Sequence, residues 1–568
     1  MYFKKLFRYK YFVIASVLMT SLIIASSLFQ PLLLKQVLVS LQEKEHHEIY
    51  RIGAWLIGFS LVGLVAGGIN VTLAAYIAQS LSSDLREDTF RKIQTFSYAN
   101  IEQFNSGNLV VRMTNDINQI QNLTMLLFQV ILRLPILLIG AIILAIVTLP
   151  VLWWLILLVL VLIGGLMAFI MRILSPRFEI FQVLIEKINA VAKENLRGIR
   201  VVKSFVQEEA EYQKFTAVSN QLLDQNLFIG YTFSILEPLM MFIGYGAICF
   251  TIWFLSGMIQ SDSSVVSSIA SFVAYLIQII FTIIMIGFFG NTVTRAMISI
   301  RRLNEILATE PTMTFKEGTV EELAGTISFE QVTFTYPLDN EPILKDITFD
   351  VQAGEMIGIV GATGSGKSTL AQLIPRLFDP QKGKILIGGK DLRDLSQESL
   401  RKNISIVLQK AILFSGTIAE NLGQGKKQQS FSDIEKASQM AQASEFINRM
   451  ENGYDSLVEE RGNNFSGGQK QRLSIARGLV NKPTILILDD STSALDARSE
   501  KLVQEALSKD LKGTTTIMIA QKISSVIHAD KILVMDQGQL VGQGTHSELL
   551  ATNAIYREIY NTQKGKEE

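Results

Sequence analysis

The sequence predicts two folds in one chain, an α-helical membrane domain with six spans followed by an α/β domain. The chain has 568 residues, which is too long for a single ordinary core. Hydrophobic residues make up 49% of it and its mean hydropathy is +0.31, values that a soluble enzyme of this size seldom reaches. Charges lie mostly in the second half, where short β-rich runs alternate with helical patterns.

Composition excludes several classes of protein. The 52 basic and 52 acidic side chains cancel, so no overall field attracts nucleic acid, and we expect no nucleic-acid partner. Cys249 is the single cysteine and lies in an apolar stretch, which excludes an intrachain disulfide or a cysteine metal cluster. The basic N-terminus resembles a signal peptide, but its apolar run is too long and no small-residue cleavage site follows.

Six spans are predicted from stretches that are nearly free of charge and long enough to cross ~30 Å of hydrocarbon as helix. One stretch is too long for a single crossing, and Pro150 offers the turn that divides it into spans three and four. The stretches are Tyr11–Leu34, Ile52–Leu81, Leu134–Met171 with the residues before Arg133, Leu227–Met258 and Val265–Gly290.

Lysine and arginine flank the spans unequally, and this bias predicts their orientation. They are frequent at the N-terminus, in Asp84–Asp116 and in Arg172–Lys214, and scarce or absent around Pro150 and from Gly257 to Ser264. Because six is even, both termini are expected to be cytoplasmic. The alternative, a soluble bundle of buried helices, fits neither the length of the stretches nor this bias.

The two long inner loops are helical in pattern, so spans two to five are expected to continue beyond the bilayer. Ser106–Ile120 and Glu194–Glu211 are amphipathic stretches suited to docking on a cytoplasmic domain, with a solvated helical face as the alternative. Arg133 and Glu237 lie inside apolar spans, where an ionisable group is costly. They indicate either a polar substrate site or a structural pair with a snorkelling arginine.

The second half contains a P-loop pattern, GATGSGKS from Gly361 to Ser368, after the apolar strand MIGIV and before a helical run. In that context the glycines let backbone N–H groups surround phosphates at a helix N-terminus. Lys367 is expected to meet the β- and γ-phosphates and Ser368 to reach Mg²⁺. A chance match is the alternative, but the flanking strand and helix argue against it.

Two further motifs follow. ILILDD, Ile485 to Asp490, is an apolar strand ending in acids and would put Asp489 on the magnesium side of the site. Between the P-loop and this strand stands FSGGQ, Phe465 to Gln469. On these motifs the chain resembles ATP-binding-cassette (ABC) proteins, and its whole length is most similar to the exporters in which six spans precede the nucleotide-binding domain.

The resemblance implies ATP and Mg²⁺ as cofactors, and two half-transporters that sandwich two ATP molecules. Each site would combine the P-loop of one chain with the SGGQ of the other. It implies that Tyr336 stacks on adenine, that Gln409 senses magnesium, that Ser493–Asp496 crosses the dimer interface, and that regions near Ser106–Ile120 and Glu194–Phe205 couple the domains. The expected ATP-binding residues are Tyr336, Gly361, Thr363, Gly364, Gly366, Lys367, Ser368, Thr369, Gln409, Ser466, Gly467, Gly468 and Gln469; the expected magnesium-side residues are Ser368, Gln409 and Asp489.

The chain departs from this family at two catalytic positions. Active members carry a glutamate after the Walker-type aspartate, where this chain has Asp490, and a histidine after the next strand, where it has Gln521. Aspartate is one methylene shorter, which misplaces a carboxylate that must reach its water. The alternative is that both substitutions are tolerated sequence drift in an otherwise active homodimer. We expect instead a bacterial heterodimeric exporter of the multidrug type, in which this subunit holds the degenerate site.

Domain boundaries are expected at 1–310 for the membrane domain, 311–325 for a linker and 326–568 for the nucleotide-binding domain. The chain is expected in the plasma membrane of a bacterium, in contact with lipid and with amphipathic or apolar small molecules. A homodimeric lipid or drug flippase and a mainly regulatory ATP-binding subunit are the alternatives. A soluble DNA-repair or translation ATPase is excluded by the six spans.

Overall fold

A computed structural model of the protein describes residues 2–261, 264–426 and 430–564. Two compact units are present. The first comprises Met1–Ile93 and Leu109–Thr309, and the second comprises Gln94–Asn108 and Glu310–Glu568. The end of the predicted second domain at residue 568 and the middle of the predicted loop Gly257–Ser264 lie outside the described residues. The exact domain boundaries stay a prediction.

The described part of the first unit is helical, and its helices follow the uncharged stretches of the sequence. Six helical segments are long and apolar enough to cross a membrane, which confirms the six predicted spans. These candidate spans are Lys4–Gln42, His46–Gln94, Ser106–Thr148, Pro150–Arg197, Glu208–Ser256 and Val265–Ala308. The helices of this part of the chain are α1 (Tyr2–Leu6), α2 (Lys10–Gln42), α3 (His46–Gln94), α4 (Tyr98–Phe104), α5 (Ser106–Val111), α6 (Ile117–Leu126), α7 (Arg133–Thr148), α8 (Trp153–Arg197), α9 (Ile199–Ser204), α10 (Glu208–Ser261) and α11 (Ser264–Ala308).

These helices continue well beyond the hydrocarbon, as the sequence predicts. Helix α3 has 49 residues, which at 1.5 Å per residue is about 73 Å, more than twice the ~30 Å core of a bilayer. Leu149 leaves the helical conformation before Pro150, and the short turn Pro150–Leu152 separates α7 from α8. The predicted division of the long apolar stretch is therefore where the structure has it.

Polar side chains join the membrane helices at a few buried points. The Ser16 hydroxyl donates to Asn70 Oδ1 at 2.6 Å, and Asn70 Nδ2 donates to the Phe128 carbonyl at 3.1 Å. Nearer α11's C-terminus, Arg112 Nη1 donates to Glu305 Oε2 at 3.0 Å. Such hydrogen bonds hold membrane helices together, because apolar side chains contact lipid tails as favourably as they contact a neighbouring helix.

Two π turns interrupt the third span, at Arg112–Asp116 between α5 and α6 and at Leu127–Ile131 between α6 and α7. A π turn adds one residue to the helical repeat and turns the following side chains to a different face. Neither turn was predicted from the sequence, because a π turn has no simple residue pattern. The second one precedes Arg133 directly.

The second unit is α/β, as predicted. Its six-stranded sheet has the order β12-β11-β3-β10-β9-β6, parallel except for β12, and a four-stranded antiparallel sheet has the order β2-β1-β4-β5. The strands are β1 (Ile327–Phe334), β2 (Leu344–Val351), β3 (Met356–Gly361), β4 (Lys382–Ile387), β5 (Lys390–Asp391), β6 (Ile404–Val407), β7 (Gly416–Thr417), β8 (Leu457–Val458), β9 (Ile485–Asp489), β10 (Thr515–Ile519), β11 (Lys531–Asp536) and β12 (Gln539–Gly544). The helices are α12 (Lys367–Leu373), α13 (Gln397–Asn403), α14 (Ile418–Gly423), α15 (Phe431–Met440), α16 (Ser444–Ile447), α17 (Gly467–Leu479), α18 (Ala497–Asp510), α19 (His546–Thr552) and α20 (Ala554–Lys564).

The register of the parallel strands fixes the site. Ile519 at the end of β10 pairs with Asp489 at the end of β9 on one side and with Ile359 of β3 on the other. The carboxyl ends of β3, β9 and β10 therefore meet at one edge of the sheet, where open α/β sheets bind their ligands. This edge carries the P-loop, the acidic pair and Gln521.

The segment Gln94–Asn108 belongs to the second unit, which the sequence did not indicate. Ser97 and Asn100 form a capping box at the start of α4, and Asn100 Nδ2 also donates to the Glu310 carbonyl at 3.3 Å. Tyr98 packs edge-on against Phe378 with ring centroids 6.1 Å apart, and Ala99 is buried in the core of the unit. The helix attached here is thus Tyr98–Phe104, upstream of the expected coupling region Ser106–Ile120.

Candidate nucleotide-binding site

The P-loop forms the tight turn between β3 and α12. Gly364 and Gly366 have φ values of +83° and +97°, a conformation that glycine adopts without strain. Lys367 Nζ folds back over the loop and donates to the carbonyls of Gly361 and Ala362 at 3.0 and 2.8 Å. The ammonium group therefore lies within the loop that would surround the phosphates, at the N-terminus of a helix.

Ser368 and Asp489 form the expected pair on the magnesium side. The Ser368 hydroxyl donates to Asp489 Oδ1 at 2.9 Å, and Asp489 is buried. Burial raises the pKa of Asp489, while the Ser368 hydrogen bond and the charge of Lys367 oppose that change. Burial also lowers the pKa of Lys367, against the pull of the two neighbouring carboxylates. Both groups are thus poorly hydrated, and at such a place their electrostatic interaction with a charged ligand is stronger than in water.

These residues fit ATP with Mg²⁺. A hydroxyl and a carboxylate oxygen are the hard ligands that Mg²⁺ takes in proteins, and Lys367 and the P-loop N–H groups suit the phosphates. The Ser365 hydroxyl in the same loop is buried and has no hydrogen-bond partner among the described residues. ATP bound here would bring the phosphoryl group that hydrolysis transfers to water.

Tyr336 lies beside the P-loop helix. Its hydroxyl is 3.1 Å from Thr369 Oγ1, and its ring meets Phe334 and Phe378 edge-on. Burial raises its pKa. Tyr336 is partly buried, and its stacking on adenine stays a prediction.

Gln409 and Asp490 are joined, which sequence reasoning did not foresee. Gln409 Nε2 donates to Asp490 Oδ2 at 3.0 Å. Asp490 is 8% exposed and has a φ of +48°, and its carbonyl accepts from the Ser493 hydroxyl at 2.9 Å. The carboxylate is therefore held on a strained turn and already serves as the acceptor of the glutamine amide.

Gln521 follows β10 at the same sheet edge, and its side chain is exposed with no hydrogen bond to the described residues. Its backbone is fixed from the C-terminal helix. Gln563 Nε2 donates to the Gln521 carbonyl at 2.7 Å, and Gln563 Oε1 accepts from the Ile523 N–H at 2.8 Å. The sequence offered no signal for Gln563, because a glutamine near the C-terminus of an exposed helix is common. His528 is seven residues further along the chain and is exposed.

The FSGGQ motif caps α17. Ser466 Oγ accepts from the Gln469 N–H at 3.3 Å, and Gln469 Oε1 accepts from the Ser466 N–H at 2.9 Å. Phe465 is 7% exposed and packs against Phe446 with centroids 6.3 Å apart. Phe465 thus anchors the motif in the core, while Ser466 is exposed at the helix N-terminus.

Asp496 and Gly468 connect this motif with the segment after the acidic pair. Asp496 caps α18 through Ser499, and those hydrogen bonds lower its pKa. A Cβ on Gly468 would lie 3.1 Å from the Ala494 carbonyl oxygen, so the segment Ser493–Asp496 packs closely on the start of α17. The role of Asp496 at an interface stays a prediction.

Comparison with known proteins decides the family. Residues 13–284 match the model of the ABC transporter transmembrane region, and residues 344–493 match the model of the ABC transporter. An uncharacterised ABC transporter ATP-binding protein of Bacillus subtilis, YfiB, is 37% identical over 548 residues, covering 96% of this chain and 95% of the relative. The chain belongs to the ABC transporter family.

Other relatives and a solved structure make this more specific. An ATP-dependent lipid A-core flippase of Pseudomonas fluorescens is 36% identical, covering 86% of this chain and 81% of the relative. The structure of a bacterial Atm1-family ABC exporter with ATP bound superimposes with a TM-score of 0.80 at 26% identity and covers 98% of both chains. This chain is an ABC exporter half-transporter, an ATP-hydrolysing multi-pass membrane protein of a class that acts as dimers.

Proposed function

We propose that this half-transporter pairs with a different, hydrolytically active half-transporter in the plasma membrane of a bacterium. The pair exports amphipathic or apolar compounds, and multidrug efflux is the form we favour. This chain binds ATP with Mg²⁺ at its own degenerate P-loop site and supplies Ser466–Gln469 to the working site of its partner. Both termini lie in the cytoplasm.

The hydrogen bond from Gln409 to Asp490 carries this proposal. A general base must lie within hydrogen-bond reach of the water that it activates. The short Asp490 side chain instead accepts the amide of Gln409 at 3.0 Å. Gln521 adds to the defect, because an amide has no ring nitrogen that exchanges a proton near neutral pH. ATP binding by Lys367 and Ser368 involves neither substitution, so binding is retained while hydrolysis is impaired.

The first test uses the full-length chain alone in lipid nanodiscs. We expect saturable binding of a fluorescent ATP analogue, with release of inorganic phosphate near background. In the Asp490→Glu, Gln521→His double variant we expect phosphate release to rise by at least about tenfold, because two copies of this chain supply two intact SGGQ motifs. Adding Lys367→Ala to the double variant is the control and should remove the gain.

Brisk ATP hydrolysis by the unmodified chain alone would overturn both the degenerate site and the heterodimer. It would favour the second candidate, a homodimeric flippase or exporter. That candidate is supported by the relatives named ATP-dependent lipid A-core flippase, of which one from Pseudomonas putida is 35% identical over 497 residues. A chain that binds ATP but never contributes to hydrolysis with any partner would instead be a regulatory subunit.

A further inference from the structure

A cavity lies between the third and sixth spans of the first unit. It has a volume of about 380 Å³, within the range of small-molecule sites. Arg133 and Gln129 line one side, and Gln278 and Thr282 of α11 line the other. It is formed within the membrane-spanning part of the chain, far along the sequence from the nucleotide site.

Arg133 brings an uncompensated charge to this cavity. Its Nε is buried without a hydrogen-bond partner, and its guanidinium makes no ion pair with any described residue. Glu237, which also lies inside an uncharged apolar stretch of the sequence, is exposed on α10 and forms no ion pair with Arg133. Arg133 as a whole is half-buried, and even a half-buried charge without an ion-pair partner is costly in a span and favours a counter-charge. The cavity lining contains no acidic residue that could supply one.

A second polar group without a partner belongs to a residue that lines the same cavity. Gln278 Oε1 is buried and accepts no hydrogen bond from the described residues, although Gln278 lines the cavity. The neighbouring Thr282 hydroxyl does not help, because it donates to the Gln278 carbonyl at 2.7 Å. The cavity therefore offers a cation and a free acceptor, which together suit an anionic head that also carries a hydroxyl or N–H donor.

The remaining walls are apolar. Leu134 and Leu137 line the cavity from α7, and Phe281 and Met285 from α11. Transfer of the apolar part of a ligand from water to these walls is favourable. The π turn Leu127–Ile131 contributes Gln129 and Val130 to the lining and ends just before Arg133, and turns of this kind are frequent at functional sites.

We propose that this cavity binds an amphipathic anion whose phosphate or carboxylate head pairs with Arg133 and whose apolar body lies against Phe281 and Leu134. Such a compound is a substrate of the exporter, and this assignment rests on the export of amphipathic compounds proposed above. Gln278 selects heads that bear a donor beside the anion. An amphipathic cation of similar shape does not bind, because Arg133 repels it.

The test measures binding of radiolabelled 1-oleoyl-lysophosphatidic acid to the full-length chain in phosphatidylcholine nanodiscs without nucleotide. This probe carries a phosphate, a hydroxyl and one acyl chain. We expect saturable binding that Arg133→Gln weakens by at least about tenfold, that Gln278→Leu weakens by a few fold and that Arg133→Lys largely preserves. Arg172→Gln removes a cation from α8 outside the cavity and should leave binding unchanged.

Competition identifies the source of the anion. Monoolein has the same tail and no phosphate, and it should not displace the probe. The measurement is repeated in nanodiscs that contain phosphatidylglycerol. Weaker binding of the probe there would mean that an anionic bilayer lipid occupies the site, and unchanged binding would mean that the site prefers a smaller amphiphile. Either result supports an anion site. Equal affinity in wild type and Arg133→Gln, displacement by monoolein, or no saturable binding would overturn the proposal.

The two proposals fail separately. The lipid-binding assay contains no nucleotide, so its failure leaves the ATP measurements untouched, and brisk hydrolysis by the chain alone would leave the anion site standing. Binding of the fluorescent ATP analogue, measured on every variant, reports whether the second unit is folded. The first unit, which carries the cavity, is checked by a thermal melt of each variant in the nanodisc. A variant that melts as the wild type does and loses the probe has lost the site and not the fold.

Discussion

Replacing Ser466 by arginine should reduce ATP hydrolysis by the assembled transporter by about 100-fold or more, while ATP binding at this chain's own P-loop changes less than about twofold. Ser466 is exposed at the N-terminus of α17, and this helix end is the part of the chain that would meet the phosphates of ATP bound by the proposed partner. An arginine side chain fills that space and removes the donor geometry on which phosphate-transfer catalysis depends. Phosphate release is measured on the complex purified with its natural partner.

Ser430→Arg is the matched control. Ser430 caps α15 as Ser466 caps α17, with its Oγ accepting from the Asp433 N–H at 3.2 Å. Both variants lose a helix cap worth about 1 kcal/mol, but only Ser466 belongs to the FSGGQ motif. Full hydrolysis in Ser466→Arg would show that this chain does not complete the working site.

Asp490→Asn on the same complex separates the heterodimer from a homodimer. In the heterodimer the working base belongs to the partner, so this substitution should lower total hydrolysis less than about twofold. In a homodimer Asp490 would serve both sites, and hydrolysis should fall as far as with Ser466→Arg. A large loss in both variants would therefore contradict the heterodimer.

The spans and the nucleotide site were predictable because both depend on patterns that are local in sequence. Uncharged runs such as Ile52–Leu81 are long enough to require membrane helices, and the P-loop needs its glycines and Lys367 in a fixed order. Ser368 and Asp489 were both expected on the magnesium side, and they meet because parallel strands present their carboxyl ends at one edge of the sheet. Sequence therefore located the centre of the site.

What sequence missed depends on contacts between distant residues. The bond of Gln409 to Asp490 joins residues 81 positions apart, and Gln563 reaches Gln521 across 42 positions. Neither glutamine pairing follows from residue type, since an amide bonds to most polar groups. The attachment of Tyr98–Phe104 to the second unit was missed for a similar reason: it depends on Asn100 meeting Glu310. Amphipathic patterning favoured the stretch after it instead.

Replacing Gly361 by alanine should abolish ATP binding and lower the thermal stability of the second unit, at a cost of roughly 3 kcal/mol or more. Gly361 ends β3 with a φ of +153°, and a Cβ there would collide with the Met535 carbonyl oxygen of β11. The obstacle is backbone in a paired strand, so it cannot turn aside as a flexible side chain would. Nucleotide binding and a thermal melt of the purified chain measure both effects.

Gly364→Ala isolates the collision from the backbone strain. Gly364 also has a positive φ, +83°, but a Cβ there would meet no atom within 4 Å. Its substitution should cost only about 1 kcal/mol, the penalty for an alanine in the left-handed region. If Gly361→Ala melted and bound nucleotide as Gly364→Ala does, the close approach of β3 to β11 would not be what fixes the start of the P-loop. A larger loss at Gly361 means that the strand pairing itself sets the position from which Lys367 reaches the phosphates.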